Sequence, residues 1–517
     1  MSHSTLFSSL TIANGEITLK HRVVMAPMTR NRGIPLSEDP SSRIWVPDDM
    51  VAKYYSQRAS PGGLLITEGI PPSLEASGMP GVPGLFHESQ FEGWRKVVEG
   101  VHAKGGFIYA QLWHAGRATI PQMTGCPVVS ASATAWETEE SFPFRTVDTK
   151  EKIKYKDFPP LAMTKDHIAN TTQDFVNAAK AAINIGFDGI EINGGNGNLL
   201  DQFLHSNINS REDSYGGSPQ TRCKFPLDLV AAIAAAVGSS NVAMRLEPAG
   251  LYNGTNGTER VETWSFLCEQ LASTYQGDNK LSYIHFIEPR FDRITEQGDV
   301  FHNSWNLPTV SNERFRDIIK RADIPCISCG AWDATNMTDA IGKWDLVAFA
   351  KWFVSNPDVP ERREEVAEFM DLVYSLWQGS WEDDAETWNS TEGAYNPDKI
   401  HKIKFKGKFH KTNAYGASQP SPQRTPVLFQ AGQSPSGKAF AGKHAEAVFC
   451  GGAVPSDTAP YVKSIREIAV SNGRDPQDVK GLSSNHADSG QDARGGTSEV
   501  QLLQISCRLQ RRNGQAE

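Results

Sequence analysis

The sequence predicts an α/β fold built on a closed (β/α)8 TIM barrel, followed by a partial α/β appendage and a disordered tail. Two observations carry the barrel. First, eight strand-like apolar runs precede residue 351: His21–Pro27, Gly63–Glu68, Gly106–Leu112, Phe187–Asn193, Asn241–Glu247, Ser282–Glu288, Pro325–Gly330 and Asp345–Ala350. Second, most of these runs are followed by a segment of helical periodicity, as in Glu88–Lys104, Lys165–Ile185 and Pro219–Val237. Strands that alternate with helices argue for parallel βα units, and eight such units close a barrel.

Bulk properties narrow the class. The chain has 517 residues, so a barrel of roughly 350 residues leaves a further segment to account for. Domains are expected over 1–362 (barrel), 363–480 (appendage) and 481–517 (tail). A net charge of −9 argues against nucleic-acid or anionic-membrane partners. No apolar run is long enough to span a bilayer, and the N-terminus has no signal-peptide pattern, so a cytoplasmic location is expected. The seven cysteines are scattered and make no disulfide framework. Cys326 and Cys329 form a C-x-x-C, but inside an apolar run, which reads as a buried strand rather than a redox pair. No metal site is expected. The partner expected is a small-molecule substrate, and the oligomeric state stays open.

The chemistry concentrates between Gly186 and Gly217. Phe187–Asn193 reads as a buried parallel strand that ends in a Gly/Asn-rich turn. Polar groups at the carboxyl end of a barrel strand line the active site. Asn193 and Asn196 stand there, with Gly194, Gly195 and Gly197 allowing close approach of the backbone. Two asparagines capping a turn are the plainer alternative.

This stretch resembles the signature of the Old Yellow Enzyme family, the FMN-dependent NAD(P)H:flavin oxidoreductases. The second half of the family pattern is intact in Asn209, Arg211, Asp213, Tyr215, Gly216, Gly217 and Ser218. The first half departs twice: Asn193 stands where the family has His, and Asn198 where it has the Tyr that donates a proton. The resemblance implies that Asn193 and Asn196 are catalytic, binding the oxygen of an α,β-unsaturated carbonyl as an oxyanion hole would. Asn198 is no general acid at neutral pH. Three outcomes follow: another proton source, a slow reductase, or diversion to isomerisation or a reaction needing no such proton.

Other segments carry the same resemblance. Met25-Ala-Pro27-Met28-Thr29-Arg30 matches the family's flavin-contacting segment, with Thr29 placed to donate to a flavin carbonyl. Gln111 ends the third run and offers both a donor and an acceptor to the pyrimidine edge. His114 reads as a polar loop residue rather than a catalytic acid. Arg245 is implied to stabilise the reduced ring. Gly330, Ala350 and Lys351 fall where the family holds the flavin phosphate. Lys351 replaces the usual Arg and Ala350 the usual Gly, which weakens that grip. The long segment Ala118–Leu161 is expected to shape substrate access.

Beyond Arg362 the character changes. Glu364–Phe449 resembles part of the nitrilotriacetate monooxygenase group of luciferase-like flavin monooxygenases, through Glu368–Trp377, Ser380–Asp384, Asn396–Lys399 and Pro426–Ser434. Val427–Ala431 reads as a strand and Ser436–Ala445 as a helix, with a Gly/Ser turn between them suited to a phosphate. The missing early strands argue against a second working site. The polar residues from about Gly481 onward read as a disordered tail.

The leading expectation is an FMN-dependent oxidoreductase that takes NAD(P)H as reductant and reduces an activated C=C bond. The alternatives are a flavin-dependent monooxygenase, dehydrogenase or isomerase of a tailoring pathway, and an inert flavin-binding fusion protein.

Overall fold

The computed structural model describes residues 6–39, 42–144, 152–289, 310–330, 332, 340, 342–357, 359–383, 385–389, 393–407, 409–416, 425–430, 435–450 and 455–483. The chain divides into two units, 1–426 and 427–517.

The first unit holds the barrel. Its eight strands are Val23–Met25, Leu64–Ile70, Phe107–Leu112, Gly189–Gly194, Val242–Leu246, Ile284–Ile287, Cys326–Cys329 and Leu346–Phe349, counted below as strands one to eight. Each pairs in parallel with its neighbours in chain order, and strand eight returns to strand one through Val347↔Val23 and Phe349↔Met25. The circle is closed, as the eight apolar runs predict. Such strands are covered on both faces, which is why they read as continuous apolar runs. One face fills the lumen with Val24, Ala26, Leu64, Ile66, Tyr109, Ala243, Tyr283, Ile327 and Leu346. The other face, with Val23, Met25, Leu65, Ile190 and Ile192, packs under the helices. A hairpin of Leu10–Ile12 and Ile17–Leu19 adds Ile12, Ile17 and Leu19 to the lumen cluster.

The helices follow local rules. Lys165–Ile185 starts at Thr164, whose hydroxyl accepts from His167 N–H, and stops at Gly186, where φ is +104°. That left-handed stop is the glycine that aims the chain into strand four. Pro219–Val237 was expected as one helix; it is two, Pro219–Arg222 and Lys224–Val237, meeting at Cys223. Pro226 has no N–H to offer the Arg222 carbonyl, so the helical ladder is interrupted there.

The long connection after strand three has its own small core, in which Trp136 stacks on Tyr155 at 4.4 Å beside Phe142. After the barrel, Val359–Gly379 is helical, and two antiparallel hairpins follow, Glu386–Asn389 with Gly393–Tyr395 and Ile403–Lys406 with Lys411–Ala414.

The second unit is a three-stranded parallel sheet, Phe429–Gln430, Ala447–Cys450 and Lys480–Ser483, with helices Pro435–His444 and Pro455–Ser471. Ala441, Ala445, Val448, Ile465, Ala469 and Val479 form its core. Gly481 to Ser483, expected in the tail, are instead strand, because Lys480–Ser483 pairs with Ala447–Cys450 through the backbone whatever its side chains. The turn after Gln430 and residues 484–517 lie outside the described residues, as does Ala331 in the seventh strand-end segment.

Candidate active site

Strand four positions the site. Its register sets Asn193 opposite Arg245 of strand five and Glu191 opposite Gln111 of strand three. Side chains of alternate strand residues share a face, so Glu191 and Asn193 turn together towards the lumen. Contacts bear this out. Gln111 Nε2 donates to Glu191 Oε1 at 2.6 Å, and Asn193 Nδ2 donates to Gln111 Oε1 at 3.1 Å. Gln111, Glu191, Asn193 and Arg245 are all buried.

Below them runs a second layer. His285 Nδ1 lies 2.9 Å from Glu191 Oε2, and Arg245 Nη2 donates to Cys329 Sγ at 3.3 Å. Burial works against the Arg245 charge, but the Cys329 and Glu191 charges outweigh it and raise its pKa. Arg245 Nε is buried with no acceptor among the described residues.

Above them stands the turn. Gly195 to Asn198 closes with Asn198 N–H donating to Gly195 O at 3.3 Å, and its central pair, Asn196 and Gly197, has φ of +58° and +65°. Positive φ at both central residues is the type I′ pattern, and Asn-Gly is its preferred pair. Four side chains clamp it. Asn196 N–H donates to Glu247 Oε2 at 2.6 Å, and Asn253 Nδ2 donates to Asn196 O at 2.9 Å. Gly197 N–H donates to Asp201 Oδ2 at 2.9 Å, and Gln202 Nε2 donates to Gly197 O at 2.8 Å. The Asn196 side chain is half-buried. Asn193 Oδ1 accepts from Gly195 N–H at 3.1 Å, which ties the turn to the strand. Asn198 is buried, and its Nδ2 lies 3.4 Å from Asn193 Oδ1.

The remaining residues named from sequence lie at other strand ends. Pro27 and Met28 are half-buried beyond strand one and Thr29 is exposed. Gly330 follows strand seven and Ala350 follows strand eight, on neighbouring strands, and Lys351 opens the short helix Lys351–Ser355. His114 is buried in the loop after strand three, where its Nδ1 accepts from Gly116 N–H at 3.0 Å and its Nε2 lies 3.9 Å from Glu75. It organises that loop and does not belong to the Gln111–Asn193 group.

Glu191, His285, Glu247 and Asp201 were not singled out from sequence, and Cys329 reads there only as part of a buried strand. Glu191 had a readable signal: it stands two residues before Asn193, on the same strand face. Asp201 lies four residues after Gly197 in the next helix, while the others depend on register between distant strands.

Two buried carboxyls give the molecule an unusual pH response. Burial pushes Glu68 up to about 7 against N–H groups from Arg30 and Asn31, and pushes Asp201 up to about 7 against the Gly197 N–H and Arg260. Each group is protonated more readily folded than unfolded, where carboxyls titrate near 4. Their contribution is therefore full below about pH 4 and is lost as pH rises through about 7, with on the order of 3–4 kcal/mol each at stake. Thermal melts are expected to show a midpoint that falls from pH 5 to pH 8. Glu68→Gln and Asp201→Asn should flatten that slope; an unchanged slope in both would contradict the assignment. Glu75 has the opposite sign. Burial raises it, but the His114 and His167 imidazoles beside it, His167 at 2.8 Å, bring it to about 2, so its contribution is lost only as pH falls towards that value.

A closed parallel barrel with amide and guanidinium groups gathered at its carboxyl mouth defines a small-molecule enzyme of the cofactor-binding barrel class. The family model described as NADH:flavin oxidoreductase / NADH oxidase matches residues 5–368, and the chain belongs to that family, the Old Yellow Enzyme family. FMN is the family's cofactor and NAD(P)H its reductant. The flavin oxidoreductase hxnT of Emericella nidulans is 40% identical over 380 residues, covering 72% of this chain and 94% of the relative. The 12-oxophytodienoate reductase 7 of Oryza sativa subsp. japonica is 35% identical over 350 residues, covering 66% and 84%. A solved structure of morphinone reductase superposes with a TM-score of 0.59 at 34% identity, covering 70% of this chain and 89% of that one. A luciferase-like monooxygenase model also matches residues 338–493. The protein is thus a flavin-dependent oxidoreductase by family. No described helix is long and apolar enough to cross a membrane.

The residues present fit FMN. A buried guanidinium whose Nε has no acceptor among the described residues stands at the barrel mouth, where an electron-rich ring edge would complete it. Gln111 keeps one N–H and one lone pair beyond its internal partners. Gly330 has φ of +106°, a backbone shape that leaves its N–H uncovered by any Cβ.

Proposed function

We propose that this protein reduces a C=C bond conjugated to a carbonyl, using FMN reduced by NAD(P)H. The reading is supported above all by the clamped Asn196–Gly197 turn, which follows Asn193 at the carboxyl end of strand four. Bound FMN would supply hydride chemistry. The chain's own residues do the rest. Asn193 and Asn196 donate N–H groups to the substrate oxygen and stabilise the negative charge that develops there. Because the turn is held from four sides, these donors need no reorganisation when charge appears. Arg245, Gln111, Thr29, Pro27 and Met28 bind the ring, and Gly330, Ala350 and Lys351 the phosphate. Asn198 has no proton to give at neutral pH, so water protonates the carbon next to the carbonyl.

Oxygen chemistry of the luciferase type has weaker support. The second unit has three parallel strands among its described residues, too few to close a barrel.

The test is a visible spectrum of the purified protein, followed by anaerobic NADPH and then cyclohexenone. A flavin band that bleaches with NADPH and returns with the enone is expected. A band that returns only with air, or no band after FMN is added, would reject the reading.

A further inference from the structure

Four buried cysteines lie in the barrel unit, and their surroundings divide them. Cys223, Cys268 and Cys326 sit among apolar side chains between strands and helices, and burial pushes each thiol up, Cys223 to about 12. Cys329 is equally buried but faces the lumen. Arg245 Nη2 donates to its sulfur at 3.3 Å. His285, on strand six, is the second cation directed at it. His285 Nδ1 is taken by Glu191 and its Nε2 is buried, and charge together with a hydrogen-bonding contribution links the imidazole to Cys329. Burial raises the Cys329 thiol, yet His285 and Arg245 together bring it down to about 7. Burial likewise lowers His285, yet Cys329 and Glu191 lift it to about 9.

Charge balance points the same way. Arg245 and His285 are two cations in a space closed to water, and Glu191 is one anion whose two oxygens are held by Gln111 and His285. Buried charge persists only when matched. A thiolate at Cys329 matches the second cation. Strand eight adds only Ala348 opposite Cys329. Glu247, just after strand five, also acts on Arg245, but more weakly than Cys329 and Glu191, and its Oε2 already accepts from the Asn196 N–H.

We propose that Cys329 is a potential-setting residue: its thiolate, held by Arg245 and His285 beneath the barrel mouth, offsets the Arg245 charge offered to a bound flavin and so lowers the flavin's reduction potential. This rests on the flavin reading of the site. Cys329 acts through Arg245 and is a positioning residue, not a catalytic one. The sign follows from charge. Reduction adds negative charge to the ring, which a bare guanidinium favours and a guanidinium paired with a thiolate favours less.

Two measurements test it, with Cys329→Ser as the variant and Cys326→Ser as the control. The first is the ultraviolet absorbance of thiolate in the native protein near pH 8, which needs no flavin. Cys329→Ser should lose the absorbance of one thiolate and Cys326→Ser none. The second is the equilibrium of the FMN-loaded protein with a reference dye. Cys329→Ser should shift it roughly tenfold or more towards reduced flavin, the scale of a unit charge removed a few ångströms away, while Cys326→Ser leaves it in place. Should the serine variant misfold, Cys329→Ala and the wild-type thiolate measurement serve instead. Absence of a native thiolate overturns the proposal. A thiolate whose removal leaves the dye equilibrium unmoved also overturns it and leaves the flavin reading standing. A protein with the thiolate but no flavin after reconstitution rejects the flavin reading, and the tuning role with it.

Discussion

Arg245→Leu is expected to cut flavin-dependent turnover steeply and to destabilise the barrel by about 3–5 kcal/mol, the range for removing one member of a buried charged group. The guanidinium is buried at the end of strand five, donates to Cys329 Sγ, and owes its raised pKa, burial notwithstanding, to Cys329 and Glu191. Leucine fills similar space and leaves Cys329, Glu191 and His285 without their permanent cation. A loss of that size is a large share of a domain's total stability of about 5–15 kcal/mol, so the urea midpoint should drop visibly. Loss of the ring-edge charge should lower flavin-dependent turnover by roughly 10²-fold or more, as for other preorganised donors. Arg245→Lys separates the two effects. It keeps the charge and loses the planar fork, so stability should recover further than turnover. If Arg245→Leu bound FMN and turned over at the wild-type rate, Arg245 would have no place in the site.

How far the sequence could be read follows from the range over which each feature is determined. The eight strands were legible because each is a local apolar run, and all eight were found where those runs lie. The turn at Asn196–Gly197 was legible as a glycine-rich strand end because Asn-Gly carries its own conformational preference. The break at Cys223 was available in principle from Pro226, but the strong helical periodicity on both sides concealed it. Strand Lys480–Ser483 was hidden for a different reason: its composition is that of a tail, and only pairing with Ala447–Cys450 makes it a strand. The charged layer under the mouth lay furthest out of reach. Glu191 meets a histidine 94 residues away, and Arg245 meets a cysteine 84 residues away. Those meetings depend on strand register around a closed barrel, which no local pattern encodes. The C-x-x-C reads from sequence as a buried strand and not a redox pair, and a buried strand is what it forms. Both cysteines are buried on strand seven, three residues apart on opposite faces, so they do not form a pair, and one of them joins the site.

Asn193→Ala and Asn196→Ala should each slow the reaction with an enone by roughly 10²–10³-fold, as removal of one oxyanion-hole donor does, while leaving reduction by NADPH close to the wild-type rate. The separation follows from position. Both amides stand in and above strand four, whereas the cation of the site, Arg245, comes from strand five. Asn193→Ala has a side effect, since it removes a donor to Gln111 Oε1 and an acceptor for Gly195 N–H. Asn196→Ala tests the turn as well as the donor, because alanine tolerates φ of +58° less well than asparagine. Gly197→Ala controls for this. It keeps both amides, but its Cβ would meet Tyr252 O at 2.4 Å and Asn253 Cβ at 2.5 Å, so the turn must shift. If catalysis depends on preorganised donors, displacing the turn should slow the enone step nearly as much as deleting Asn196. The measurement is stopped-flow flavin absorbance in two half-reactions, NADPH first and cyclohexenone second. Equal losses in both would mean that the asparagines serve flavin binding. No loss in either would return them to the role of turn-capping residues.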